Sequence, residues 1–111
     1  MPRKKSKPMS PGALSLVAAR FKVLGEPARL SLLNALMQKD LNVNELVQAT
    51  GLSQANVSKH LGMLADTGFV SRRRHGLFTV YSIEDQGVYQ LCDLMCDSIA
   101  RRLGNDLREI A

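Results

Sequence analysis

The sequence has no apolar run long enough to cross a membrane, and it contains only two cysteines and two histidines. A transmembrane helix needs about 20 consecutive apolar residues, so we expect no membrane segment. The basic N-terminus is followed by residues 8–12, rich in Pro and Gly, where a signal peptide would have its apolar region. We therefore expect a cytosolic protein in which both cysteines are reduced thiols.

The chain also lacks the residue patterns that most enzymes need. It has no Ser/His/Asp set, no glycine-rich phosphate loop and no metal-hydrolase motif. Its two thiols, Cys92 and Cys96, lie four apart within a predicted helix, whereas catalytic dithiols favour a Cys-x-x-Cys spacing at a helix start. A thiol-based redox protein is therefore a distant alternative, and we expect no enzyme.

The length of 111 residues fits a single domain, and the net charge is +5. Four of the positive charges lie within the first eight residues, which leaves a charge of +1 for the rest. We predict that residues 1–12 form a disordered basic arm and that residues 13–111 form the domain. Such an arm either contacts the phosphates of a polyanion or serves only as a solubilising tail, and both remain open.

Apolar residues at helical spacing predict four helices in the first part of the chain. The first begins at Leu14 and is ended by Gly25, and Pro27 suits the first turn of the second. A short third helix covers residues 43–49, and Ser53 is a plausible N-cap for the fourth. We expect the second helix to bury Leu30, Leu33 and Leu36.

The periodicity then changes from helical to alternating. Residues 69–71 and 79–82 are rich in β-forming side chains, and a turn at residues 75–76 predicts a two-stranded hairpin. Residues 82–85 have the form of a capping sequence for a long last helix. The apolar stripe of that helix consists of Val88, Leu91, Cys92, Met95, Ile99 and Leu103. We thus predict a mainly α fold with a small β-hairpin.

The fourth helix has short polar side chains on the flank opposite its apolar line. The apolar line consists of Val57, Leu61 and Leu64, and the opposite flank of Gln54, Ala55, Ser58, Lys59 and Gly62. Short side chains let a helix enter a DNA major groove and bring donors and acceptors to base edges. The hairpin could then contact the phosphate backbone. This order of helix, turn, reading helix and wing is that of a winged helix-turn-helix.

The predicted DNA contacts come from the reading helix and the wing. They are Ser53, Gln54, Ala55, Asn56, Ser58, Lys59, His60, Arg72, Arg73, Arg74 and His75. Asn56 and His60 lie to the side of the reading face, and His60 could instead bond the backbone of a neighbouring helix. The three arginines alternate across a strand, so we expect one of them to pair with an acid or to cover apolar surface. The charged wing argues against a winged helix that binds only protein.

Arg29, early in the second helix, has two readings. It could contact a phosphate, or it could form an intramolecular pair with Glu26 or Asp66. The sequence leaves both open.

Three segments, in this order and at this spacing, carry a resemblance to a known family. They are residues 24–30 (LGEPARL), residues 52–61 (LSQANVSKHL), and residues 68–70 with 72–76 and 80–81. The chain resembles the bacterial ArsR/SmtB family of winged-helix repressors over roughly residues 16–95. The resemblance implies a symmetric dimer through the first and last helices, with two half-sites of a palindromic operator about one helical turn apart. It also implies release by an inducer.

The inducer sites of that family can be checked residue by residue. The arsenic-type site needs a Cys-x-Cys at the start of the third helix, where this chain has Asn42 and Asn44. Amides cannot replace thiolates for a soft metal. The zinc-type site needs histidines in the last helix, but the only histidines here are His60 and His75. We therefore expect both sites to be absent.

Cys92 and Cys96 remain as candidate inducer-sensing thiols. Their β-carbons would be about 6 Å apart on a helix, too far for an unstrained disulfide within one chain. Across a dimer axis, four thiols could bind a soft ion such as As(III), Cu(I) or Cd(II), or form an interchain disulfide or polysulfide bridge. Asp93 and Asp97 could join them or remain solvated. The alternative is the same repressor without thiol sensing, with both cysteines only packing and no cofactor required.

Overall fold

The computed structural model describes residues 7–104, and within them the chain forms five helices and three strands. In chain order these are α1 (Pro11–Leu24), α2 (Pro27–Leu36), β1 (Leu41–Asn42), α3 (Val43–Thr50), α4 (Gln54–Asp66), β2 (Val70–His75), β3 (Phe78–Ile83) and α5 (Gly87–Leu103). The predicted mainly α fold with an antiparallel hairpin is confirmed. Within the described range, no helix combines the length and apolarity that a membrane crossing needs.

Helix α1 begins earlier than its apolar stripe predicted. Ser10 is the N-cap, and its Oγ accepts a hydrogen bond from the backbone N–H of Ala13 at 3.2 Å. Pro11 then occupies the first helical position, where its missing N–H leaves no bond unmade. Residues 11 and 12 therefore belong to the helix and not to the arm. The predicted disorder of residues 1–6 lies outside the described residues.

Helix α3 is capped at both ends, and α4 is capped at its start. Asn42 and Glu45 form a capping box, each side chain accepting from the other residue's backbone N–H at 2.9 Å. Gly51 ends α3 at φ 76°, a left-handed conformation that larger residues disfavour. Ser53 begins α4 as predicted, because its Oγ accepts from the backbone N–H of Asn56 at 3.2 Å.

Strand β1 was not predicted. It pairs antiparallel with β3, with Leu41 opposite Tyr81 and Asn42 opposite Val80. The sheet order is β1-β3-β2. A two-residue strand is too short to show alternation, and its partner lies far along the chain, so only the folded structure reveals it.

The core lies between the sheet and helices α2, α3 and α4. Its members are Leu32, Leu33, Leu36, Leu41, Leu46, Val57, Leu61, Leu64, Phe69, Val70, Tyr81, Ile83 and Val88. The prediction that Leu30 faces inward was wrong, since 41% of its surface is exposed and Leu32 is buried instead. Each helical residue turns by about 100°, so Leu30 lies about 60° beyond Leu33 on the side away from Leu36.

The start of α5 also differs from the prediction. Ser82 and Ile83 belong to β3, where Val70 pairs with Ile83, so they cannot cap a helix. The helix begins at Gly87, and the Oδ1 atom of Asp85 accepts from its backbone N–H at 2.9 Å. Pairing with β2 therefore takes precedence over a local capping signal.

Candidate nucleic-acid interface

The apolar line of α4 fixes which of its faces meets solvent. Val57, Leu61 and Leu64 are all 0% exposed. Because these positions lie on one side of the helix, the opposite flank is turned outward. Gln54, Ala55, Ser58 and Lys59 are exposed there, and Asn56 is exposed to the side of that flank. The structure thus brings the predicted reading residues together on one open surface.

His60 lies at the border of this surface and is half-buried. Its Nδ1 atom is 3.1 Å from the Nη1 atom of Arg29. An arginine can only donate, so Nδ1 accepts and the ring proton resides on Nε2. The partner of His60 is therefore a side chain and not the backbone of a neighbouring helix.

The three wing arginines do not share one face. In the hairpin register Arg72 lies opposite Tyr81 and Arg74 opposite Thr79. Because side chains alternate along a strand, Arg72 and Arg74 project on the face that carries buried Tyr81, and Arg73 projects on the other.

Arg73 has partners on the protein body. Its Nη1 and Nη2 atoms are each 3.3 Å from Oδ2 of Asp40, and Nη1 donates to Oγ of Ser82 at 3.0 Å. The expectation that one arginine pairs with an acid is confirmed. Arg72 and Arg74 remain as the exposed cations on the face toward the helices.

The tip of the wing carries an apolar pair that the sequence reading missed. Leu77 is 89% exposed and Phe78 is 50% exposed, directly after Gly76 at φ 63°. Hairpin turns usually carry polar residues, so two apolar residues after the turn glycine were the available signal. These side chains would reach any surface that the wing contacts.

Arg29 follows neither of its two predicted readings. It is only 8% exposed, so it is not at a phosphate-facing surface. It bonds backbone carbonyls and His60 instead of Glu26 or Asp66.

The thiols Cys92 and Cys96 are both free and half-buried on α5. Burial raises the pKa of the Cys92 thiol, and the neighbouring Cys96 and Asp93 raise it further. A raised pKa leaves the thiolate a minority at neutral pH, which argues against an activated nucleophile. In residues 7–104, His, Cys, Asp and Glu form no group of three or more that could hold a metal ion.

A second surface, which we call the α1–α5 face, is apolar and open. A groove of about 370 Å³ between the two helices is lined by Val17, Phe21, Leu24, Leu91 and Leu94, among others. Phe21 is 57% exposed and Leu94 is 67% exposed. Arg20 frames this groove, because it donates to Asp85 and to the Thr67 carbonyl at 2.7 Å each and stacks 4.3 Å from the Phe69 ring centre.

The sequence and the fold both match known proteins. Residues 26–72 match the family described as bacterial regulatory protein, arsR family. Over 91 residues the chain is 36% identical to the helix-turn-helix transcriptional regulator Rv0081 of Mycobacterium tuberculosis. The aligned residues cover 81% of this chain and 80% of that protein. The crystal structure of Rv0081 superposes with a TM-score of 0.78 at 35% identity, over 86% of this chain and 96% of that chain.

Two further relatives extend this comparison. The homodimeric winged helix-turn-helix DNA-binding domain of a Mycobacterium bovis protein, solved in solution, gives a TM-score of 0.75 at 30% identity, over 83% of this chain and 85% of that chain. A Streptomyces lividans protein named as a probable mercury resistance operon repressor is 41% identical over 71 residues, which are 64% of this chain and 57% of that protein.

The wing geometry predicts that its three arginines contribute unequally to DNA binding. The affinity for DNA falls as the salt concentration rises, and each phosphate contact contributes roughly 0.9 to the steepness of log affinity against log salt concentration. Replacing Arg72 or Arg74 by Ala should therefore make this slope shallower by about 1 per wing. Arg73→Ala should leave the slope unchanged, because Arg73 is held by Asp40. Anisotropy titrations at four salt concentrations would measure this. Equal losses for all three variants would contradict the assignment.

Proposed function

The chain belongs to the arsR family of bacterial regulatory proteins and is a DNA-binding transcription regulator, and from this we propose that it is a repressor acting as a homodimer on a palindromic operator. Its relatives are transcription regulators and not enzymes. The observation that carries the proposal is the open polar flank of α4, set opposite a line of fully buried residues and followed by a basic wing.

In the proposed complex, α4 enters the major groove. Gln54, Ser58 and Lys59 address base edges, while Arg72 and Arg74 address phosphates. The flanking contacts come from Ser53, Ala55, Asn56 and His75. Arg73 and His60 are engaged by protein side chains, so we place them at the margin of the interface.

The α1–α5 face supports the proposed homodimer. Within the described chain α1 buries no side chain fully and α5 buries only Val88, so the two helices expose most of their apolar surface. The exposed set includes Leu14, Leu16, Phe21, Leu91, Leu94, Met95 and Leu103. Exposed apolar patches of this kind mark interaction sites, and the M. bovis relative is homodimeric. A second copy would cover this face.

We expect the protein to bind the promoter of its own operon far more tightly than scrambled DNA of the same length. Specific complexes typically exceed non-specific ones by at least about 1,000-fold, because base-edge contacts add to the phosphate term. An anisotropy titration at moderate salt measures the ratio. Equal binding to both DNAs would overturn the proposed function.

A charge placed on the α1–α5 face should break the dimer. Leu94→Glu would bury a carboxylate in the apolar interface and should raise the dimer dissociation constant by about 100-fold or more. The matched control is Leu77→Glu, which adds the same charge at the wing tip and should leave the dimer intact. Light scattering coupled to size exclusion measures both masses. A dimeric Leu94→Glu protein would place the interface elsewhere.

We further propose that Cys92 and Cys96 sense the inducer across this interface. The half-buried thiols lie on α5, and a soft-metal site there needs additional ligands, which the second copy would supply. Mercury, which is named for the S. lividans relative, is a thiol-seeking metal, as are As(III), Cu(I) and Cd(II). A disulfide or polysulfide bridge between copies is the other form of this sensing.

Release from the promoter by soft metals and persulfide donors should require both thiols. Cys92→Ser and Cys96→Ser should each need at least about tenfold more metal than the parent, while Ser98→Ala serves as the control on the same helix. Because a raised pKa keeps Cys92 protonated and metal binding displaces that proton, release should need less metal as the pH rises. If both cysteine variants respond like the parent, the thiols only pack.

A further inference from the structure

Arg29 is a buried cation that joins three helices through neutral acceptors. It lies in the first turn of α2 and is 8% exposed. Its Nε atom donates to the Val23 carbonyl at 2.6 Å, and Nη2 donates to the Lys22 carbonyl at 3.5 Å. Its Nη1 atom lies 3.1 Å from Nδ1 of His60 and 3.3 Å from the sulfur of Met63. The side chain therefore spans from the end of α1 to the middle of α4.

The α1 side of this contact is a helix C-terminus. Lys22 and Val23 belong to the last turn of α1, where a helix runs out of backbone donors for its carbonyls. The Lys22 carbonyl also accepts from the backbone N–H of the cap residue Gly25 at 3.3 Å. These carbonyls carry the partial negative charge of the helix dipole, which favours a cation. Arg29 thus satisfies the end of α1 with two donors of one rigid fork. A lysine could supply the charge but not the fork.

The α4 side of the contact controls a residue of the reading helix. Arg29 forces His60 to accept at Nδ1, which fixes its ring as the Nε2–H tautomer and fixes its orientation. His60 directly follows Lys59 and lies two residues after Ser58, both on the reading flank. Met63, one turn further along α4, contacts the same guanidinium. The position of α4 is therefore linked to the end of α1.

We propose that Arg29 is a positioning residue that couples the α1–α5 face to the DNA-reading helix, so that a shift of α1 changes how α4 meets the operator. The inference rests on the proposed function, since it concerns affinity for operator DNA. Arg20 supplements this link from α1 itself, because it reaches the Thr67 carbonyl just beyond α4. The two arginines hold α4 in its middle and at its C-terminal end. An inducer that moves α1 would then disturb the reading helix without touching DNA.

The test uses substitutions at both ends of the link. His60→Asn places an amide at the position of the Nδ1 atom of the histidine ring, whereas His60→Gln places an amide at the position of its Nε2 atom. His60→Asn should therefore keep the acceptor for Arg29 and retain operator affinity within about threefold, and His60→Gln should lose about tenfold or more. Arg29→Met, which keeps the length of the side chain, should lose a similar factor, and Arg29→Lys should recover only part of it. Lys22→Ala is the control, because only its carbonyl is used.

Two further measurements separate positioning from mere stability. The double variant Arg29→Met with His60→Gln should bind no more weakly than either single variant, because both remove the same link. The ring ¹⁵N shifts of His60 should report the Nε2–H tautomer in the parent and a tautomer mixture in Arg29→Met.

Three outcomes distinguish a failure of the proposed function from a failure of the coupling through Arg29. A parent that does not discriminate promoter from scrambled DNA overturns the proposed function. If the parent discriminates and the Arg29→Met and His60→Gln variants both bind the operator as tightly as the parent, the coupling alone is overturned. If Arg29→Met fails to fold, the His60 pair decides, and equal affinities of the Asn and Gln variants refute the coupling.

Discussion

The rotational setting of α4 about its own axis is the constraint on which the interface depends. Val57, Leu61 and Leu64 are excluded from solvent, and burying such a side chain contributes roughly 1.5–3 kcal/mol. A rotation of the helix by one residue would exchange part of this line for polar groups, so the packing excludes it. The outward position of Gln54, Ser58 and Lys59 is a consequence of that burial. The turn at Gly51 and the cap at Ser53 then fix where the helix begins.

Arginine contacts connect this reading unit to the face proposed for the dimer. Helix α1 has no fully buried side chain, and its Val23 and Leu24 pack against the core only partly buried. Arg20 binds Asp85 and the end of α4, and Arg29 binds the end of α1 and the middle of α4. The same helix that offers apolar surface to a second copy is therefore tied to the reading helix. Such an arrangement gives a regulator a physical route between two distant surfaces.

The sequence predicted what local rules decide, and it failed where distant partners decide. The cap at Ser53, the glycine at position 51 and the stripe of α4 depend on neighbours within a few residues, so their patterns were sufficient. Strand β1 and the partners of Arg29 are set by residues remote in the chain, which no local pattern encodes. Leu30 was misplaced because a spacing of three drifts around a helix. The outward flank of α4 followed from periodicity, but the choice of Arg73 as the arginine that pairs with Asp40 depends on a residue remote in the chain.

A hydroxyl-radical footprint on the promoter of the operon, at moderate salt, tests whether the protein reads DNA as a symmetric dimer. A symmetric dimer should protect two segments on one face of the duplex, with half-site centres about one helical turn apart, roughly 10–10.5 base pairs. Lys59→Ala should weaken protection in both segments together, because each would be read by one copy of α4. A single protected segment, or uniform protection across promoter and scrambled DNA alike, would contradict a symmetric sequence-reading dimer.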